Sequence, residues 1–117
     1  MSIVSDSMYA AGLPEGSYNS DGRIRIVKDG LAYIENGTIS GSACTSMHGF
    51  RNLIRMGIPM EEVSKMASRT PARTSGIFDR TGSITVGKDA DFILLNPSLE
   101  VISTYVEGVC VFSGGNQ

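Results

Sequence analysis

The sequence predicts an α/β fold, and three observations carry that reading. Arg23, Ile24, Arg25 and Ile26 alternate polar and apolar, the two-residue period of a strand. Met47, Phe50 and Ile54 recur at the three- and four-residue spacing of a helix face. Short apolar runs bounded by turn residues then return, at Phe92–Leu95 and on either side of Glu107-Gly108.

In chain order, residues 2 to 5 read as a short buried strand that ends at Asp6, and Ala10 to Gly22 as an irregular loop of small residues, Pro14, Gly16 and Asn19. "RIRIVKDGLAYIENGTI" reads as a hairpin, because Asp29-Gly30 is a favoured two-residue turn and Asn36-Gly37 closes the return strand at about residues 31 to 35. The helix with Met47, Phe50 and Ile54 is closed by Gly57. A second helix opens at Pro59, with Glu61 and Glu62 favouring its positive end and Val63, Met66 and Ala67 forming its buried stripe. Thr70-Pro71 is expected to end it and to start another short helix that runs to Gly76. Phe92 to Leu95 is apolar enough to be buried on both faces, a hairpin about Glu107-Gly108 follows, and "SGGNQ" reads as a loose tail.

The bulk numbers exclude several functions. The 117 residues make one small domain's length, and an apolar share of 41% allows a modest core. Ten basic against 12 acidic residues give no basic face for nucleic acid. No run of about 18 apolar residues is present to enter a membrane, and the N-terminus has no basic-then-apolar secretory pattern. Cys44 and Cys110 lie far apart in apolar surroundings and read as buried free thiols of a reducing cytoplasm. A catalytic zinc site needs about three protein ligands, and His48 is the single histidine. His48 itself reads as a surface or helix-packing residue, and the methionines at helical spacing as core.

One acid stands apart. In "IVSDSMYAAGLP" an apolar run delivers Asp6 and gives way at once to small residues, glycine and proline. A carboxylate at the carboxyl end of a strand is where α/β enzymes place a catalytic acid or base. An Asp that caps a turn has the same signature and is the commoner use. On these residues alone the turn cap takes precedence.

Longer phrases then match a known family. "VSDSMYAAGLPEGSY", "VKDGLAYIENGTISGSACTSMHGFRNLI" and "ASRTPARTSGI" resemble successive segments of N-acetylglucosamine-6-phosphate deacetylases, in the metal-dependent amidohydrolase superfamily. "GSITVGKDADFILLN" is similar to an ending shared across many amidohydrolases. The resemblance spans essentially the whole chain. It implies the C-terminal fragment of an amidohydrolase (β/α)8 barrel (last strand, hairpin loop and helices) in residues 1–82, plus C-terminal strands of the small β-sandwich in residues 83–117.

The resemblance also implies roles. Asp6 matches the acid that takes a proton from metal-activated water and returns one to the departing amine. Ile39, Ser40 and Gly41 match a loop, closed by Ser42, that lies against the sugar and its acetyl group, although this sequence departs from the family's "LAGS" at Ile39 and Ser40. Met8, Ala10, Ala11 and Gly12 would shape the pocket wall behind Asp6. The substrate would be an amino-sugar phosphate and the cofactor a divalent metal, zinc or similar.

A full barrel needs about 250 residues. By the resemblance this chain begins at the eighth strand, so the ligands of the metal, the groups that hold the sugar phosphate and half of the sandwich belong to upstream segments. The fragment is therefore expected to bind no metal, to be inactive alone, and to need either self-association or an N-terminal complement. A non-catalytic partner-binding module is the alternative, as is part of another amidohydrolase of dihydroorotase or aminoacylase type.

Overall fold

The computed structural model describes residues 1–20 and 22–114. Ile3–Gly57 forms one compact unit, and Ile58–Gln117 with Met1–Ser2 forms another.

The first unit is built on a four-stranded antiparallel meander: β1 (Gly16–Ser20), β2 (Arg23–Lys28), β3 (Leu31–Tyr33) and β4 (Ile39–Ser42), neighbours in that order. The expected hairpin is its centre. Asp29 at φ 52 and Gly30 at φ 73 make the left-handed pair that a two-residue turn demands, and Val27 faces Ala32 across it. Two strands were expected as loop. "GSYNS" becomes β1 because β2 presents a free edge to it and Tyr18 packs on the core of Ala10, Val27 and Ala43. "ISGS" becomes β4 because Gly41, opposite Ala32, lets the backbone pass close to residues 6 to 8.

Residues 2 to 5 depart from expectation in the other direction. No strand forms there, Ile3 is half-buried and Val4 is 80% exposed. The reason is a lack of partners: among the described residues the ladder contact at this end is a parallel bridge between Ser7 and Ser42, and a strand without neighbours leaves its backbone groups to water. The unit ends with α1 (Ser46–Arg55), whose buried residue is Phe50 and whose last turn is closed by Gly57 at φ 89.

The second unit opens with a continuous helical run, α2 (Met60–Ser64), a π-helical turn (Lys65–Arg69) and α3 (Thr70–Thr74). Thr70-Pro71 does not end the helix as expected. The Thr70 N–H donates to the Lys65 carbonyl, five residues back, and this wider turn makes room for a proline ring that would clash in α-helical register. It also shifts the phase of the buried stripe. Val63 is fully buried and Met66 half-buried, but Ala67 faces solvent and Ala72 takes its place inside.

A three-stranded antiparallel sheet follows: β5 (Phe92–Leu95), β6 (Val101–Val106) and β7 (Val109–Ser113). Glu107 at φ 50 and Gly108 at φ 79 make the expected hairpin turn. Phe92 stacks on Tyr105 across β5 and β6 with ring centroids 4.5 Å apart. The double-sided burial expected of β5 is not seen, since Ile93 and Leu94 are 42% and 46% exposed. β5 and β7 are both edge strands of this sheet. For the same reason Cys110 on β7 is exposed rather than buried; Cys44 is half-buried, and both thiols are free. Of the expected tail, Ser113 ends β7 and the Gly114 N–H donates to the Ile102 carbonyl at 2.7 Å; residues 115–117 lie outside the described residues.

Candidate functional site

Asp6 and β4 meet. The Ser42 N–H donates to the Asp6 carbonyl at 3.0 Å, and the Met8 N–H donates to the Ser42 carbonyl at 3.0 Å. One step further on, the Ser7 hydroxyl donates to the Cys44 carbonyl at 2.5 Å. These bonds hold residues 6 to 8 along β4, leave the Asp6 side chain in solvent, and put its backbone at φ 48. Gly41 permits the approach. A Cβ there would stand 3.3 Å from the Asp6 carbonyl oxygen and 3.7 Å from Met8 Cβ. Ser40 also touches the segment, its hydroxyl 3.4 Å from the Met8 sulfur.

The residues expected as pocket wall divide. Met8 is half-buried beside Ser40 and Gly41. Ala10 is fully buried in the core with Val27 and Ala43, so it supports the segment from behind. Ala11 and Gly12 form a turn: the Ala11 N–H donates to the Met8 carbonyl at 2.9 Å and the Gly12 N–H to the Ala43 carbonyl at 3.0 Å. Ile39 is 57% exposed at the start of β4, and His48 lies exposed on α1. The sequence thus places Asp6, Met8, Ser40 and Gly41 in one neighbourhood, with Ile39 at its margin.

Four residues beside this site were not expected. Tyr9, Ser20, Arg23 and Arg25 join Met8 to line an open cleft of about 440 Å³. The signal was present in the alternation of "RIRI", which sets both arginines on one face of β2. Among the described residues, no three His, Cys, Asp or Glu side chains are grouped to hold a metal ion.

The second unit shows what the "GKDAD" phrase does. Lys88 Nζ donates to the Phe78 carbonyl and to that of Thr81 at 3.4 Å, and lies 3.4 Å from the centre of the Phe78 ring. Asp89 pairs with Arg80 at 3.2 Å. Asp91 accepts the Glu107 N–H and the Thr81 hydroxyl, each at 2.8 Å. The Glu107 N–H first and then the Thr81 hydroxyl hold its carboxyl below the usual carboxylate range, against desolvation and with a lesser contribution from the Arg80 charge. These are ties of a turn-rich loop to the sheet, and they account for the motif without chemistry.

Comparison with known proteins gives the family of the chain. The sequence model of the amidohydrolase family matches residues 3–117. An N-acetylglucosamine-6-phosphate deacetylase of Haemophilus influenzae is 38% identical over 109 residues, covering 91% of this chain and 29% of the relative. One of Vibrio furnissii is 34% identical over 113 residues, covering 96% and 28%. A crystal structure of an N-acetylglucosamine-6-phosphate deacetylase from Thermotoga maritima superposes with a TM-score of 0.85 at 33% identity, over 97% of this chain and 31% of that one. A β-aspartyl dipeptidase from Fervidobacterium islandicum reaches 0.54 at 32% identity, over 72% and 23%. The chain spans less than a third of the length of each of these proteins.

Proposed function

The chain belongs to the amidohydrolase family, and on that premise we propose that it is the C-terminal part of a deacetylase that removes the acetyl group from N-acetylglucosamine 6-phosphate, in the cytoplasmic breakdown of amino sugars. The observation that carries the proposal is the junction of Asp6 with the glycine strand, where the Asp6 carbonyl accepts the Ser42 N–H above Gly41. In this reading residues 1–82 supply the last strand, hairpin and helices of a (β/α)8 barrel, and residues 83–117 supply strands of a small β-sandwich. Free thiols at Cys44 and Cys110 suit a reducing cytoplasm.

Hydrolysis of an acetamide needs a proton removed from the attacking water and a proton delivered to the nitrogen, because an unprotonated amine leaves poorly. The exposed Asp6 carboxylate is assigned both transfers. Ile39, Ser40 and Gly41 are assigned to the sugar and its acetyl group. Met8, Ala10, Ala11 and Gly12 hold the wall behind the acid, Ala10 from the core and the others nearer the surface. The divalent metal, zinc or similar, on which this superfamily generally depends does not fit the described residues, which offer no group of three ligands. Its ligands are accordingly assigned to another part of the enzyme, and the partner of this chain to a second copy or an N-terminal complement.

The test is a chimera in which this chain replaces the matching C-terminal segment of the Haemophilus influenzae relative. The expected result is acetate release from N-acetylglucosamine 6-phosphate. A folded chimera that releases none, beside an active parent, overturns the proposal.

A further inference from the structure

We propose that Ser7 is the positioning residue for the Asp6 carboxylate, acting through the clasp that its hydroxyl makes on the Cys44 carbonyl. The inference rests on the assignment of Asp6 as the proton-transferring acid and adds a residue to it.

Two main-chain bonds fasten the segment after Asp6, and both go to one residue. The Ser42 N–H donates to the Asp6 carbonyl and the Met8 N–H to the Ser42 carbonyl, each at 3.0 Å. This is the pattern of the parallel bridge between Ser7 and Ser42, and it turns the N–H and carbonyl of Ser7 away from β4. Two bonds to a single residue make a hinge. They fix how far residues 6 to 8 lie from β4 and leave rotation about the bridge free, and that rotation swings the Asp6 side chain. A third attachment, off the hinge, removes the freedom. The Ser7 hydroxyl supplies it, donating at 2.5 Å to the Cys44 carbonyl.

The far end of the clasp is firm. The Cys44 N–H donates to the Ser42 hydroxyl at 2.9 Å, and its thiol donates to the Gly30 carbonyl at 3.3 Å. The same Gly30 carbonyl accepts the Ala43 N–H at 3.0 Å, and Ala43 is buried in the core with Ala10 and Val27. Cys44 is thus tied to the left-handed Asp29-Gly30 turn by its side chain and to the core through its neighbour. The near end is soft. Asp6 sits at φ 48, off the preferred backbone of an L-residue, with its side chain in solvent. Among the described residues no hydrogen bond or ion pair holds the carboxylate itself. Its direction is therefore set by the main chain, and a proton carrier needs its direction held closely.

Ser7 is exposed, so water competes for its bond and the bond adds little to stability. What it adds is orientation. A positioning role and a structural one therefore part in measurement.

The experiment compares Ser7→Ala and Ser7→Thr in two settings. In the 117-residue chain, NMR reads amide exchange at Met8 and the three-bond coupling of Asp6 that reports its φ. Ser7→Ala should speed exchange at Met8 several-fold and shift the Asp6 coupling, with the unfolding midpoint unchanged. Ser7→Thr keeps the hydroxyl and should restore both. In the chimera, Ser7→Ala should lower kcat for N-acetylglucosamine 6-phosphate by about tenfold, with KM within about twofold, and Ser7→Thr should recover most of the rate. An Asp6 coupling and Met8 exchange identical in Ser7→Ala and the parent overturn the inference. So does an unchanged kcat in Ser7→Ala where Asp6→Asn abolishes turnover, or a loss that Ser7→Thr does not recover. A Ser7→Ala chain that melts well below the parent also overturns it, because the bond is then structural. An inactive chimera, or one that keeps the parent rate with Asp6→Asn, defeats the deacetylase reading instead, and the coupling and exchange alone then decide the clasp.

Discussion

The carbonyl oxygen of Asp6 stands 3.3 Å from the point a Cβ on Gly41 would occupy. Gly41 also holds φ at 150, so an alanine there meets a close contact and an unfavourable backbone together. Gly41→Ala should destabilise the chain by about 1 kcal/mol or more and loosen the bond from the Ser42 N–H to Asp6. Denaturant unfolding checks the first effect. Faster amide exchange at Ser42, with exchange at Val63 unchanged, checks the second.

Asp6→Asn separates a catalytic acid from a turn residue. In the active chimera the substitution should lower turnover by about 10² to 10⁴ while KM changes little, because Asn keeps the shape but cannot take and return a proton. A turn residue would tolerate it, since Asn serves turns nearly as well. A folded Asn variant with a third of the parent rate would remove Asp6 from the chemistry.

Gly30 is held by two constraints that can be measured apart. A Cβ on it would lie 2.6 Å from the Cys44 sulfur, and its φ is 73. Gly30→Ala should cost more than about 1 kcal/mol. Adding Cys44→Ala removes the contact and leaves the backbone cost, so the double variant should recover part of the loss. A double-mutant cycle with no coupling, below about 0.5 kcal/mol, would show that the backbone alone decides.

Asp91 makes stability depend on pH in one direction. Its carboxyl is held below 3.8, chiefly by the Glu107 N–H. A carboxyl lowered in the folded state contributes fully above its unfolded-state value and loses that contribution as pH falls through the folded one. Asp91→Asn should therefore melt earlier than the parent near neutral pH, with the gap closing in acid below 3.8. Parallel melting curves of the two proteins across that range test it, and a gap that widened in acid would contradict the assignment.

β7 offers the surface most suited to a partner. Val109, Val111 and Phe112 are 64%, 59% and 50% exposed, and the strand pairs with β6 on one side only. An apolar strand with an open edge invites pairing with another chain. The isolated chain should sediment above monomer mass with rising concentration, and Val111→Lys should reduce the effect. A monomer at all concentrations would contradict it.

Much of the fold was legible because certain residues speak locally. Asp29-Gly30 and Glu107-Gly108 need left-handed backbone, so they announced both hairpin turns. Phe50 and Gly57 announced α1 and its end. The failures arose where a neighbour decides. "GSYNS" carries no strand signal and is a strand because β2 lies beside it, while Ile3 and Val4 carry one and have no ladder to join. Pro71 reads as a helix end until a π-helical turn admits it. At the candidate site, Asp6 and Gly41 could be picked out as residue types, yet their adjacency is made by the bond to Ser42 across many residues of chain. Arg23 and Arg25 were seen as strand polarity, since alternation gives the two faces of a strand and not which of them turns inward.

The backbone of Asp6 lies at φ 48, where an ordinary L-residue costs roughly 1–2 kcal/mol and an Asp somewhat less, while glycine fits freely. A glycine at that position would make a sturdier chain with nothing to offer a ligand. Firmness and chemistry thus pull apart at one residue. A screen of variants for heat resistance alone would discard this carboxylate among its first gains, and the protein it delivered would be robust and mute.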